Sequence, residues 1–190
     1  MWKRKLSRRI GYSRFVKILL PVVGIGLCLY PFASNFLAEQ NMQEIICSYH
    51  KMETDFDVMA IIEIPKINVE LPIYQGTDKA TLAKGVGHIC GSDLPIGGEG
   101  THSLLAGHRG LPNAQLFTRL NELEVGDEFY IHLHETKLAY EVCQISVIKP
   151  EDTSGLGAQE GRDLISLITC TPYGINTHRL VVTGERKEDL

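Results

Sequence analysis

The sequence predicts an all-β protein: a closed eight-stranded β-barrel with a few short helices, preceded by one long apolar helix. Three observations carry that prediction. Short β-branched runs recur roughly every 8–12 residues from position 58 onward. Gly, Asn and Pro punctuate the gaps between them. One stretch near the N-terminus, residues 18–38, holds no charged residue. The composition of the 190 residues agrees, with 44% hydrophobic, 22% charged, 18 Gly and 8 Pro. Those values exclude a disordered chain, a collagen-like repeat and a coiled coil.

The elements follow in order. Residues 1–17 carry seven of the 19 Lys and Arg residues and no acid. The 21 uncharged residues after them would span roughly 31 Å as a helix, about one bilayer core. Positive charge before the span places the N-terminus in the cytoplasm. Cleavage as a signal peptide needs small residues at the cut and two positions earlier. Ala38 is preceded by Phe36 and Ala33 by Pro31, so residues 18–38 are expected to remain as a single-pass transmembrane signal-anchor. Residues 39–57 then form an extracellular connector and 58–186 the barrel. Beyond residue 17 only 12 basic residues face 23 acidic ones. Nucleic acid is therefore not an expected partner, since phosphates require a basic face.

Strands are expected at 58–64, 69–74, 86–90 and 103–106, then at 128–134, 137–148, 163–170 and 178–183. Residues 77–85 have an N-cap candidate at their start and Gly85 at their end, so a short helix fits there. A second short helix fits 114–123. Polar, Gly-bearing segments at 91–100 and 149–162 read as loops. Among the cysteines, Cys28 lies in the apolar run, and Cys90 and Cys143 read as packed thiols. The four outside the run permit a disulfide scaffold, but a body of this size can bury a core without one.

The chemistry concentrates at strand ends. The apolar run 164–169 delivers Cys170, and after a Thr-Pro-Tyr-Gly turn Asn176-Thr177-His178-Arg179 opens the next strand. Two adjacent antiparallel strands would hold Cys170 and Arg179 together. The buried run 103–107 delivers His108 in the same way. A thiol, an imidazole and a guanidinium supply a nucleophile, a proton carrier and an oxyanion stabiliser. His178 falls on the opposite face to Arg179 and reads as structural. His88, Cys90, His102 and His108 lack the paired spacing of a zinc site. Glu63, Asp93, Glu99 and Asp152 form no calcium-type Asp-x-Asp cluster. No metal is expected.

The run from Leu167 through Thr169-Cys170-Thr171-Pro172-Tyr173-Gly174-Ile175-Asn176-Thr177-His178-Arg179 to Leu180 resembles the nucleophile motif of sortases. Within that family it resembles the class C, pilin-polymerising branch. Leu105-Ala106-Gly107-His108-Arg109-Gly110 resembles the family's histidine motif. Ile64-Pro65-Lys66-Ile67 and Leu71-Pro72-Ile73-Tyr74 resemble its first two strands. The resemblance implies a sortase-type barrel and a cysteine transpeptidase that needs no cofactor. It implies that Cys170 attacks an LPxTG-like sorting signal of a secreted pilin or surface protein between Thr and Gly. His108 then protonates the departing amine, Arg179 holds the oxyanion, and Thr169 and Thr171 contact substrate. The acyl group passes to an amine: a pilin lysine during pilus polymerisation, or alternatively a cell-wall cross-bridge. A non-catalytic assembly scaffold would have no use for the intact Cys170, His108 and Arg179 set. Class C sortases commonly carry an Asp-Pro-aromatic lid and a second membrane span. Residues 39–57 hold no Asp-Pro and no second span is visible, so an open active site is expected.

Overall fold

The structure, a computed structural model, describes residues 10–50, 58–110, 116–134 and 136–187. Its strands are β1 (Val58–Ile64), β2 (Val69–Gln75), β3 (Val86–His88), β4 (Thr101–Ala106), β5 (Glu128–Leu133), β6 (Thr136–Ile148), β7 (Asp163–Thr171) and β8 (His178–Arg186). They close into one barrel in the order β1-β2-β3-β4-β7-β8-β6-β5, with β5 pairing back onto β1. Two neighbouring pairs, β2–β3 and β4–β7, are parallel. The all-β barrel read from strand spacing is the observed fold.

Side-chain alternation explains the closure. Ile165 and Leu167 of β7 join Leu105, Phe129, Ile131, Tyr140, Leu180 and Val182 in the core. The pleat therefore turns Ser166, Ile168 and Cys170 to the outer face. Phe129 and Tyr140 stack with centroids 5.5 Å apart. Gly184 lies against them, and a Cβ there would collide with the Phe129 ring. The β1–β2 connection is a 3-10 turn at Pro65–Ile67 that ends on Asn68 in the left-handed region, φ 53°. The short helix α2 (Lys79–Lys84) forms where expected. Asp78 caps it by accepting from the amides of Ala80 (2.9 Å) and Thr81 (3.2 Å).

Three local expectations change. The helix expected at 114–123 is a 3-10 turn at Leu120–Glu122, residues 114–115 lying outside the described ones. Leu116, Phe117, Leu120 and Leu123 all insert into the core, so packing overrides helical propensity here. The strand expected at 86–90 ends at His88, because the chain turns at Gly91, φ 94°, with Ser92 N donating back to Ile89 O. Cys90 is consequently exposed rather than packed. Cys143 is half-buried at a bulge of β6, its thiol 3.4 Å from Thr183 O.

A larger correction concerns the N-terminal third. Helix α1 (Ile10–His50) runs without a break through the apolar stretch and twelve residues past Ala38. Its C-terminal part docks on the barrel, where Ile46 packs against Ile61 on the outer side of β1 and Met42 touches the same cluster. The apolar run is thus part of a longer helix fastened to the barrel. Among the described residues no helix is long and apolar enough to cross a membrane. The transmembrane assignment of 18–38 is withdrawn, and with it the cytoplasmic N-terminus and the membrane-anchored extracellular placement. Residues 1–9 and 51–57, parts of the expected basic segment and connector, lie outside the described residues.

Candidate active site

Two antiparallel strands set the frame. In the β7–β8 ladder Cys170 stands directly opposite Arg179, and Thr171 opposite His178. Directly opposed side chains have Cβ atoms roughly 4.5–5.5 Å apart, so the thiol and the guanidinium stem share one outer-face position. Both residues are half-buried. Between the strands, Ile175 and Asn176 amides donate to Pro172 O at 3.1 and 2.9 Å, and Asn176 takes φ 60°. Arg179 donates to the carbonyls of Asn176 (3.2 Å) and His178 (3.0 Å), which brace its guanidinium against the turn.

The histidine segment is stitched to the other side of β7. Ala106 of β4 pairs with Ile168, and Gly107 N donates to Ile168 O at 3.0 Å. The Thr169 hydroxyl returns a bond to Gly107 O at 2.8 Å. His108 follows at once, half-buried, its carbonyl accepting from Phe117 N at 3.1 Å. Two glycines allow this approach. Gly107 lies flat against the Phe117 ring, and Gly110, φ 79°, lies under the Tyr173 ring, so neither position has room for a Cβ. The chain segments bearing Cys170, Arg179 and His108 therefore meet at one end of the barrel.

The remaining candidates sit differently. Thr169 is 2% exposed and lies on the inward face with Leu167, on the opposite side of β7 from the Cys170 side chain. Thr171 is half-buried and its hydroxyl accepts from Arg109 at 2.8 Å. His178 lies 3.0 Å from the Thr177 hydroxyl through Nδ1. His88 contacts Gln75, Ser92 and the Asp93 carbonyl, while His102 contacts Gly157 and Ser166, so the two rings serve separate hydrogen-bond sets.

Arg109 is the residue that sequence reasoning quoted without giving it work. One terminal nitrogen reaches Thr171 Oγ1 and, at 3.4 Å, the carbonyl of Cys170. The other donates to Asn121 Oδ1 at 2.7 Å. It ties the residue after His108 to the backbone of Cys170. Its place directly after the histidine was visible in the sequence; its partners, 12 to 62 positions away, were not.

The arrangement can deliver a thiol, a proton carrier and fixed positive charge to one carbonyl group. The family model described as Sortase domain matches residues 62–187. Sortase D of Bacillus subtilis is 38% identical over 129 residues, which cover 66% of this chain and 62% of that protein. The chain thus spans less than two thirds of that relative's length. Sortase C1 from Streptococcus agalactiae is a solved structure with 47% identity and a TM-score of 0.70, over 72% of this chain and 71% of that one. The group B Streptococcus pilus island 1 sortase C2 has 46% identity and a TM-score of 0.69, over 73% and 78%.

Proposed function

The chain belongs to the sortase family, a family of cysteine transpeptidases, and we propose that it transfers an LPxTG-like sorting signal to a lysine of a pilin. Cys170 is the nucleophile in this reading. Its thiolate attacks the Thr–Gly carbonyl, and the negative charge moves onto the carbonyl oxygen within reach of the Arg179 guanidinium. Collapse of that intermediate breaks the C–N bond, and His108 gives its proton to the departing glycine amine. The thioester on Cys170 then meets an incoming amine, which His108 deprotonates. The second collapse breaks the C–S bond and releases the Cys170 thiolate and a new amide, with His108 again protonated. One amide replaces another, so the reaction is close to isoenergetic. Thr171 takes part through Arg109, and Thr169 by holding the histidine segment at its distance.

The single observation that carries the reading is the direct cross-strand pairing of Cys170 with Arg179, alongside the β4 end that bears His108. The choice of a pilin lysine rests on the 167–180 motif and on similarity to a sortase C described as belonging to a pilus island. A cell-wall cross-bridge is the alternative acceptor. We take the active site to be open to peptide without prior displacement of a lid.

Intact mass after incubating the chain with an LPxTG-type peptide tests this. The expected product is an acyl adduct lacking the portion from glycine onward, present on the wild type and absent from Cys170→Ala. Adding a lysine-bearing or a glycine-based amine should consume the adduct into a ligated peptide, and the faster amine identifies the acceptor class. Release of free acid alone would instead mean a hydrolytic protease. No adduct, with Cys170 also unreactive to a small alkylating reagent, would refute the open site.

A further inference from the structure

A second set of polar side chains on the outer face of β7 is sealed off from water and takes no part in the chemistry above. His102 is 2% exposed, Ser166 0% and Thr183 9%. His102 Nε2 lies 2.8 Å from Ser166 Oγ, which lies 2.7 Å from Thr183 Oγ1. The other ring nitrogen, Nδ1, lies 3.0 Å from the carbonyl of Gly157. A carbonyl only accepts, so Nδ1 carries the hydrogen. In the neutral ring Nε2 then accepts from the Ser166 hydroxyl, and Ser166 accepts from Thr183. The backbone of His102 is itself fixed, its amide donating to Asp93 Oδ2 at 2.8 Å.

Gly157 belongs to the loop between β6 and β7, residues 149–162. That loop leaves the sheet at the level of the nucleophile, because Ile148 pairs with Arg179 and Arg179 with Cys170. It reaches His102 and Ser166 four residues further down β7, roughly 13 Å away. Between those levels the outer face offers Ile168 and Val181, a cross-strand pair. The loop's internal bonds are local, from Asp152 N to Lys149 O and from Leu156 N to Thr153 O. At the end of the loop Arg162 donates to Glu185 of β8 and to Gln159 Oε1; among the described residues before it, Gly157 to His102 is the hydrogen bond that ties positions 149–161 to a barrel strand.

We propose that His102 is a positioning residue: through Gly157 it latches the β6–β7 loop against the barrel and so shapes the approach of the acyl-donor peptide to Cys170. The proposal rests on the transpeptidase reading only for the identity of that peptide. The latch acts on binding, since the loop starts beside the nucleophile without contributing a reacting group. Loosening it weakens donor binding and leaves the thiol chemistry intact.

Two substitutions separate the two ring nitrogens. His102→Asn keeps a donor near the Nδ1 position and the bond to Gly157; His102→Gln keeps a polar atom near Nε2 and loses that bond. Steady-state transfer from an LPxTG-type peptide should show KM raised about tenfold in His102→Gln, the loss of one buried hydrogen bond. Its kcat and the alkylation rate of Cys170 should stay within about twofold, and His102→Asn should restore KM to within about threefold. Hydrogen exchange at the amides of 153–160 should quicken in the Gln variant and not in the Asn variant. Equal KM and equal exchange in both variants and the wild type would overturn the latch, as would parallel losses of kcat and KM in both. Exchange is read without peptide, so a wild type that fails to turn over counts against the transpeptidase reading while the exchange result still decides the latch.

Discussion

In the proposed mechanism Arg109 makes no bond, yet it joins three segments around the candidate site. Its guanidinium is shared among Thr171 Oγ1, the Cys170 carbonyl and Asn121 Oδ1. A fork of fixed donors can hold three acceptors at once, which a lysine ammonium on a flexible stem does less well. Replacing it with glutamine withdraws a charged donor from the half-buried Thr171 hydroxyl and Cys170 carbonyl, at a cost of about 1.5–3 kcal/mol. If that loss falls on the alignment of Cys170 with His108, kcat drops roughly ten- to a hundredfold. Arg109→Lys should recover part of the rate, and Thr171→Val, which removes one acceptor, should lose less than Arg109→Gln. Transfer kinetics on the three variants measure this, and a wild-type kcat in Arg109→Gln would remove Arg109 from the site. The same residue marks where sequence reading stopped. The meeting of Cys170, His108 and Arg179 at one end of the barrel was legible because each ends or opens an apolar strand and sits in a recognisable motif. Arg109 and Thr169 act through hydrogen bonds to chain segments distant in sequence, and no spacing rule encodes such partners.

At the scale of elements, β7 and β8 were legible because both are apolar, β-branched and bounded by turn residues. The segment 114–123 was misread for the opposite reason. Its apolar residues suit a helix face, but they are spent filling the barrel end, and only Leu120–Glu122 keeps a turn of 3-10 helix among the described residues. The C-terminal part of β8 holds a feature that composition hides. Gly184 leaves room for the Phe129 ring, which stacks on Tyr140. Gly184→Ala forces a methyl group into that ring, and overpacking of this kind costs about 1–3 kcal/mol. The thermal midpoint should fall by roughly 2–12 °C. Phe129→Leu alone should also destabilise by opening a gap, yet in the double variant the two losses should add to less than their sum, since the smaller side chain makes way for the methyl. Calorimetry of the cycle checks this. Strict additivity would mean that the glycine is there for the backbone and not for the ring.

For the whole molecule, charge pairs on the barrel surface set a pH window for stability. Burial pulls the Glu63 carboxyl upward, but hydrogen bonds from Lys137 and His132 outweigh it and hold the group below its ordinary value. The Lys66 ammonium lowers Asp127 in the same sense, Lys187 lowers Glu128, and the Arg162 guanidinium lowers Glu185. A carboxyl depressed in the folded state stabilises the fold above the unfolded value, about 4, and loses that contribution as pH falls through the folded value. Lys66 and Lys187 are raised by their carboxylate partners, so their share is complete below the unfolded value, about 10.4, and is lost as pH climbs through the folded one. The urea midpoint should therefore be level from about pH 6 to 9 and fall steadily between about pH 4.5 and 3. Each pair is partly exposed and contributes little alone, so the acid slope is collective and 0.5 M salt should flatten it. Glu63→Gln should take away part of the acid limb while moving the neutral midpoint only slightly. Glu63, Glu128, His132, Lys137 and Glu185 lie on β1, β5, β6 and β8, and Lys66, Asp127, Arg162 and Lys187 lie in the segments between or after the strands; none is among the residues proposed for catalysis. Cys170 alkylation followed at pH 7 in the same salt should accordingly keep its rate within about twofold while the acid limb collapses. A midpoint level down to pH 3 would mean that these carboxylates keep their unfolded values and that burial alone holds the barrel closed.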